Sequence, residues 1–363
     1  MRREPSWTAP GKVVHVVGRV TDEVCSFLGP ATHALARAGR DQAVVMIDEP
    51  RYRHHVSRLH EAAELLLTPS VRDPIGQWRA MRDACRAALS EGPMEAVHLH
   101  GLFAGLVGAQ AVRACSMTVP IYFSPHGSRS VNGLRGLGAM LLPLIARFLG
   151  PLHAAIVNVP NEAQALQRWR STELVESPVG SAFFAAPRNE ARRPLLVTGG
   201  RSQGPRNVEL LAQLAVLLSG GDLRIGFNWI GSVDAVSQAR LTAANVAVFD
   251  VSSDAECAAR LAAGWVYVAP GGTRGFALFL AEAMAAGMAC VALDCVQHRH
   301  VIRDGENGFL CRSEQEMIAR IASLIDSREL RARIGAAARS EAGRRFGEPD
   351  FCAKLLAAYA LPA

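Results

Sequence analysis

Short runs of β-branched residues alternate with longer helical stretches along most of this 363-residue chain. Parallel strands need long crossover connections, which are usually helices, so the alternation predicts parallel sheets covered by helices on both faces. The strands expected in the first half lie at 12–17, 43–47, 96–99, 121–123 and 155–159. A helix is expected at 30–38, because Gly39 follows it as a suitable C-cap.

The pattern restarts after residues 177–194, a stretch rich in Pro, Ala, Asn and Arg that we interpret as a linker. Beyond it, strands are expected at 195–197, 225–230, 246–249, 265–268 and 290–293, and helices at 207–218, at 276–286 and between 314 and 345. A chain of this length suits two domains. We therefore predict an α/β protein with two doubly wound domains facing a cleft, at 1–180 and 181–345. A final helix at 346–363 is expected to pack toward the first domain.

Composition excludes several classes of protein. The eight cysteines form no CxxC pair, so neither a disulfide framework nor a zinc site is expected, and reduced thiols in a cytoplasm are the default. The first ten residues lack the apolar run of a signal peptide, and no run approaches the roughly 20 apolar residues of a membrane-spanning helix. The net charge of +6 would suit anionic partners, but few aromatic residues and no recognition motif argue against nucleic acid.

A glycine-rich turn follows the strand predicted at 265–268. Glycines there allow close backbone approach, and a helix beginning near residue 275 would add free amide groups and its dipole. We therefore predict a binding site for an anionic ligand, formed by Gly271, Gly272, Thr273, Arg274, Gly275 and Phe276.

Glu282 is the only charged residue between Phe276 and Ala289, in a helix that is apolar all round and hence buried. An unpaired carboxylate in such a place costs several kcal/mol, so a specific partner is expected. The ribose diol of a nucleotide fits, because one carboxylate can accept both hydroxyls. An internal bond to a backbone amide or an arginine is the alternative.

The stretch from Val268 to Gly287 resembles the Glu-x7-Glu region of retaining glycosyltransferases of family 4, which have the GT-B fold of two Rossmann-like domains. Segments 304–310 and 331–335 with Glu316 resemble the turn and tail of those enzymes, and segments 97–101 and 124–127 resemble two strand ends of their N-terminal domain. The resemblance implies transfer of a sugar, with retention, from a nucleoside diphosphate donor of the UDP or GDP type. The acceptor would be a glycan or a lipid-linked molecule, in cell-surface or exopolysaccharide synthesis, and neither a cofactor nor a metal is expected.

Three residues have catalytic roles implied by the resemblance. Arg201 and Arg206 follow a strand and a glycine turn, where the family places an arginine and a lysine that neutralise the departing diphosphate. Two solvated surface arginines are the alternative. His126, in a Pro–His–Gly turn at a strand end, would contact the transferred sugar, whereas for His98 and His100 we favour structural roles.

Arg274 departs from the family, because the first Glu of its pair falls on this position. An arginine could hold a carboxylate-bearing sugar, pair with Glu282, or mark a site without turnover. The rival hypothesis is therefore a non-catalytic GT-B subunit that binds a sugar nucleotide or a partner glycosyltransferase. A sugar-nucleotide epimerase of the same fold is a third hypothesis. It would require additional carboxylates near the reacting carbon, and the motifs supply only Glu282.

Residues 101–161 contain no Asp or Glu, and the apolar segment 134–149 has basic ends. Such a segment could rest on an anionic membrane surface, which would place the protein peripherally on the inner face. A core helix of the first domain is the alternative.

Overall fold

The computed structural model describes residues 11–18, 20–50, 53–126, 152–167, 171–200, 205–219, 224–272 and 276–361. The chain divides into two compact units. The first contains the residues up to Ser177 together with those from Phe351 onward, and the second runs from Pro178 to Asp350. None of the described helices combines the length and apolarity needed to cross a membrane.

The first unit is built on a seven-stranded sheet in the order β3-β2-β1-β4-β5-β6-β7, with parallel pairing throughout. Its strands are β1 (Lys12–Val17), β2 (Gln42–Asp48), β3 (Ala63–Pro69), β4 (Met94–His100), β5 (Ile121–Ser124), β6 (Ala154–Val157) and β7 (Thr172–Leu174). The helices described between them are α1 (Asp22–Arg37), α2 (Arg53–Val56), α3 (Pro74–Ser90), α4 (Leu102–Ala114) and α5 (Pro160–Leu166).

The second unit has a six-stranded parallel sheet in the order β10-β9-β8-β11-β12-β13. Its strands are β8 (Leu195–Gly199), β9 (Gly226–Ile230), β10 (Val246–Phe249), β11 (Val266–Ala269), β12 (Ala289–Leu293) and β13 (Phe309–Cys311). Its helices are α6 (Ser181–Ala185), α7 (Pro205–Leu218), α8 (Ala235–Ala243), α9 (Asp254–Ala263), α10 (Leu278–Ala285), α11 (Val296–Val301), α12 (Glu314–Asp326) and α13 (Arg328–Phe346), and α14 (Glu348–Ala358) follows.

The predicted α/β class with two doubly wound parallel sheets is confirmed. Central strands β1, β4 and β5 are buried along almost their whole length, as strands covered on both faces must be. Side-chain caps define the starts of α1 and α3, whereas α4 begins after Gly101 without one. Asp73 accepts the backbone N–H groups of Ile75 and Gly76 at the start of α3, for example.

The predicted start of the first helix was wrong. α1 begins at Asp22, where the Thr21 hydroxyl accepts the Val24 N–H, and Pro30 lies inside it rather than at its first turn. The helix after the glycine turn also begins later than expected, at Leu278 instead of near residue 275. Strands β3, β7 and β13 were not predicted, and all three are edge strands. β3 and β7 have few buried residues, and β13 is only three residues long.

The segment 177–194, interpreted as a linker, belongs to the second unit from Pro178 onward and contains α6. The guanidinium of Arg331 in α13 donates to both carboxylate oxygens of Glu190, at 3.1 and 3.0 Å, and lies 4.0 Å from the centre of the Trp265 ring. Arg331 is buried, so this bidentate pair holds the end of the segment against its unit.

The close packing of α13 on the loop after α10 gives a stability prediction. A Cβ on Gly335 would overlap the carbonyl oxygen of Gly287, a backbone atom that cannot turn away. We expect Gly335→Ala to lower the free energy of unfolding of the second unit by about 1–3 kcal/mol. Gly343→Ala, on the same helix, meets only ordinary contact at 3.8 Å and should raise it by about 0.4–1 kcal/mol. Urea denaturation of both variants checks this, and equal effects would contradict it.

Candidate functional site

Gly271 and Gly272, which belong to the predicted glycine turn, follow β11, and Gly271 lies against the first turn of α7. A Cβ on Gly271 would overlap Asn207 Oδ1 and lie 2.9 Å from Asn207 Cγ, so only glycine allows this approach. Gly272 is more open, with Cys295 Sγ 3.6 Å from its hypothetical Cβ. Arg206 directly precedes Asn207, the residue whose side chain contacts Gly271.

Glu282 occupies the middle of α10, the helix that follows the turn. Its side chain is 4% exposed, as expected from the apolar sequence on both sides. Burial raises the pKa of Tyr267 well above its usual value, and Cys290 and the negative charge of Glu282 raise it further. The buried carboxylate therefore lies near Tyr267 of β11, in the same unit as the glycine turn.

Several predicted binding residues cannot be placed. Arg201, Thr273, Arg274 and Gly275 lie outside the described residues, as does the segment 134–149. Phe276 is described and is 8% exposed, with its ring centre 5.1 Å from that of Phe346 and 6.2 Å from that of His300. The aromatic ring thus packs in the interior of its unit.

A small cavity beneath the turn contains a residue that the sequence did not point to. Its volume is about 10 Å³, roughly enough for one water molecule. Its lining includes Thr198, Asn207, Tyr267, Gly271 and His298. His298 is fully buried, and its Nδ1 lies 2.7 Å from the Leu293 carbonyl, which can only accept. Because burial also lowers the pKa of His298, the ring is neutral and its Nε2 faces the interior as an acceptor.

His126 lies in the first unit, directly after β5. It is 9% exposed and has φ +50, an uncommon conformation for a residue other than glycine. Its ring centre lies 5.4 Å from that of Phe27, and its Nε2 is hydrogen-bonded to His100 Nδ1 at 2.8 Å. Burial lowers the pKa of His126 to about 3, so the side chain is a neutral imidazole.

The hydrogen bonds continue beyond His100 into the sheet. His100 Nε2 is 3.0 Å from Nδ1 of His15, which is fully buried and whose Nε2 has no partner among the described residues. His15, His100 and His126 thus form a continuous series of hydrogen-bonded rings, the imidazole chain. His15 was missed because a single histidine in a strand gives no local signal.

His98 lies beside the imidazole chain, since it is paired in register with His15 across β1 and β4. Ring nitrogens of His15, His98 and His100 lie within 4.8 Å of one another, and imidazole is a common metal ligand. Both nitrogens of His98 already bond, however, to the Tyr359 hydroxyl at 2.6 Å and to Ser124 Oγ at 2.8 Å. Metal binding would break these bonds, so we assign the cluster to hydrogen bonding.

Comparison with known proteins relates the second unit to a family. Residues 226–341 match the family model described as Glycosyl transferases group 1. The phosphatidyl-myo-inositol mannosyltransferase of Mycolicibacterium smegmatis is 27% identical over 316 residues, which cover 82% of this chain and 76% of that protein. That of Mycobacterium leprae is 26% identical over 314 residues, with 82% and 79% covered.

Solved structures share the whole fold. Sucrose-phosphate synthase from Thermosynechococcus elongatus has a TM-score of 0.74 at 15% identity, covering 96% of this chain and 98% of that one. Anabaena HepE, solved in complex with UDP-glucose, has a TM-score of 0.75 at 13% identity, covering 96% and 99%. Together with the family match and the mannosyltransferase relatives, this shared architecture confirms the sequence prediction: the chain is a glycosyltransferase with the GT-B fold.

Proposed function

We propose that this glycosyltransferase moves a hexose, with retention, from a nucleoside diphosphate donor of the UDP or GDP type to a glycan or lipid-linked acceptor. The observation that carries the proposal is the turn at Gly271, packed on the first turn of α7 and followed by a helix with the buried Glu282. The name of the mannosyltransferase relatives supports a lipid acceptor, and the UDP-glucose complex of HepE supports the donor. A role in cell-surface or exopolysaccharide synthesis follows from such acceptors.

The second unit would bind the donor diphosphate without a metal or other cofactor. In the proposal, the glycine turn with Thr273, Arg274 and Gly275 offers backbone N–H groups to the phosphates. Arg201 and Arg206 neutralise the charge that develops on the leaving diphosphate, because guanidinium groups pair with phosphate oxygens in a bidentate manner. Phe276 would support the turn from the interior side.

Glu282 would accept the two ribose hydroxyls of the donor, and this can be measured directly. Hydrogen bonds to a charged group contribute about 1.5–3 kcal/mol, so Glu282→Gln should weaken binding of UDP or GDP roughly 10- to 100-fold. The wild type should also bind the 2′-deoxy nucleotide more weakly than the ribonucleotide, and the variant should lose most of this discrimination. Isothermal titration calorimetry with the four ligand and protein combinations gives both numbers.

Glu341→Gln is the matched control for Glu282. Glu341 is another buried carboxylate of the second unit, and its partners are Arg303 at 2.7 Å and Arg344 at 2.8 Å. This variant should lose stability but keep the ribose discrimination. A wild-type protein that binds ribo- and 2′-deoxynucleotides equally well would remove Glu282 from the ribose site.

His126 would contact the transferred sugar in this proposal. A residue held at positive φ in a buried position is stabilised by its surroundings, and such backbone conformations concentrate at functional sites. As a neutral imidazole, it can position a hydroxyl group of the donor.

The alternative is a non-catalytic subunit that binds a sugar nucleotide or a partner glycosyltransferase, and Arg274 is the residue that favours it. Turnover of a panel of neutral and uronic-acid donors separates the two functions, because a binding subunit turns over none of them. If Arg274 binds a carboxylate of the donor sugar, the uronic-acid nucleotide binds more tightly than the neutral sugar nucleotide of the same base. Arg274→Glu then reverses this preference. Turnover of a neutral donor that is unaffected by Arg274→Ala would exclude Arg274 from the mechanism.

We also propose a cytoplasmic location with peripheral contact to the inner face of the membrane. The acid-free stretch 101–161 motivates this, since its basic residues would approach anionic lipids and lipid-linked acceptors. Its described helix α4 is largely buried, which leaves the segment 134–149 as the candidate for such contact.

A further inference from the structure

The imidazole chain has a regular connectivity. Nδ1 of His15 meets Nε2 of His100 at 3.0 Å, and Nδ1 of His100 meets Nε2 of His126 at 2.8 Å. Each bond therefore joins a δ nitrogen to the ε nitrogen of the next ring. A neutral imidazole carries one proton, so one of its nitrogens donates and the other accepts.

This connectivity couples the positions of the protons. If His15 carries its proton on Nδ1, then His100 Nε2 accepts, the proton of His100 is on Nδ1, and His126 is protonated on Nδ1 as well. If His126 donates from Nε2, all three rings are protonated on Nε2. A mixed arrangement would set two lone pairs or two protons against each other at one of the two short contacts.

The inner end of the imidazole chain is closed. His15 is 0% exposed, and its Nε2 has no partner among the described residues. No described group can supply or take a proton at that nitrogen, so the two arrangements do not interconvert by passing protons through it. His98 does not take part, because its nitrogens bond to Tyr359 and Ser124.

The hydrogen bonds of His98 are independently oriented. The Ser124 hydroxyl donates to the Ile156 carbonyl at 2.6 Å, so it has no proton left for His98. His98 therefore donates from Nε2 to Ser124 and accepts at Nδ1 from the Tyr359 hydroxyl. His98 is therefore an internal reference for the tautomer measurement. It is a buried histidine on the same strand as His100, and its tautomer is fixed by partners outside the imidazole chain.

We propose that His100 and His15 are positioning residues that couple the tautomer of His126 to their own, so that all three rings share one tautomer before any ligand binds. His126 Nε2 is bonded to His100 in either arrangement, so Nδ1 is the nitrogen left for a ligand. Whether Nδ1 donates or accepts is thus set inside the first unit rather than by the ligand. This deepens the proposed function, since it rests on contact between His126 and the transferred sugar. The ring nitrogen of His126 that faces a sugar hydroxyl is then already fixed as a donor or as an acceptor. The ring does not have to change its tautomer during the reaction.

The test is ¹⁵N NMR of the full-length protein with labelled histidine, at pH 7 and without ligand. Protonated and unprotonated ring nitrogens have well-separated shifts, and removal of one histidine at a time assigns the signals. We expect His15, His100 and His126 to show the same tautomer and His98 to be protonated on Nε2. Two different tautomers within the imidazole chain, or rapid averaging at His126, would overturn the proposal.

Two variants extend the test from the wild type. His100→Phe keeps a buried ring but removes the partner of His126, so the signals of His126 should move to the averaged values of a mixture of tautomers. His98→Phe, a matched change on the same strand, should leave them in place. A single unchanged tautomer of His126 in His100→Phe would show that His100 does not position it.

These spectra are independent of catalysis. A protein that binds no sugar nucleotide but shows the shared tautomer would refute the proposed function and leave the imidazole chain intact. Conversely, mixed tautomers in an active transferase would refute the imidazole chain alone.

Discussion

Lowering the pH from 7 to 5 should remove most of the stability of the first unit, because four buried histidines there resist protonation. Burial lowers the pKa of His15 and His126 to about 3. Burial, together with neighbouring histidines, holds the pKa of His98 and His100 well below the ordinary value. In the unfolded chain all four regain a pKa of about 6.5.

The direction in which stability changes with pH follows from which state, folded or unfolded, binds more protons. Below pH 6.5 these histidines bind protons in the unfolded chain but not in the folded unit. Their contribution to the stability of the folded unit is therefore fully present above pH 6.5 and falls as the pH drops toward 3. For His15 and His126, whose folded pKa is about 3, this costs roughly 2 kcal/mol each between pH 7 and pH 5. These two groups alone cost about 4 kcal/mol, a large part of the typical domain stability of about 5–15 kcal/mol, and His98 and His100 add to the loss in the same direction.

Hydrogen exchange followed by mass spectrometry measures this for each unit separately. After correction for intrinsic exchange rates, protection in β1 and β4 should collapse between pH 6 and pH 5, while β8 and β11 lose much less. The second unit provides the internal comparison, because His298 is the fully buried histidine among its described residues. His33→Gln, a change of an exposed histidine in α1, should leave the curve in place. Equal protection of β1 at pH 7 and pH 5 would contradict the assignment of four neutral histidines.

Loss of both proposed phosphate-binding arginines should weaken nucleoside diphosphate binding by a factor of roughly 10² to 10⁴. Charge-assisted hydrogen bonds contribute about 1.5–3 kcal/mol each, so Arg201→Ala with Arg206→Ala removes about 3–6 kcal/mol. The backbone of Arg206 lies in the first turn of α7, next to Asn207, on which the glycine turn packs. Calorimetric titration with UDP and GDP gives the change in affinity.

A change of equal charge elsewhere isolates the local contribution. Arg192 and Arg193 are exposed residues of the same unit, so Arg192→Ala with Arg193→Ala lowers the net charge equally. This control should reduce affinity only slightly, and only at low salt, because exposed distant charges are screened. Unchanged affinity in Arg201→Ala with Arg206→Ala would exclude both residues from the diphosphate site.

Sequence patterns located most of the buried strands, since a strand covered on both faces is a continuous apolar run. They failed at the edge strands β3 and β7, which have one buried residue between them and so give no apolar run. They also failed at the start of α1, which was predicted at Pro30 although the helix begins at Asp22. The residues that begin this helix are Thr21 as N-cap and the acidic Asp22 and Glu23 in its first turn.

The candidate site was predictable where chemistry follows local sequence. The glycine turn and the buried Glu282 needed only the order of residues after β11. The imidazole chain was not predictable in this way, because His15 and His100 are 85 residues apart and meet only through the register of β1 and β4. His298 was missed for a similar reason, since nothing around it in sequence marks the cavity beneath Gly271.

The helix α14 has a consequence for the order in which the protein folds. From Phe351 onward, its residues and those after it join the apolar core of the first unit with Val13, Phe27 and Ile156, and the Tyr359 hydroxyl bonds to His98 across 261 residues of sequence. During synthesis, the strands of the first unit emerge long before this part of the chain exists. Part of the apolar surface of the first sheet therefore stays uncovered until the end of the chain has been made. The second unit is one continuous stretch of chain, so it can fold as soon as that stretch has been made. We expect the second unit to complete its core in a single stage, and the first unit, although made first, to be the last to become fully stable.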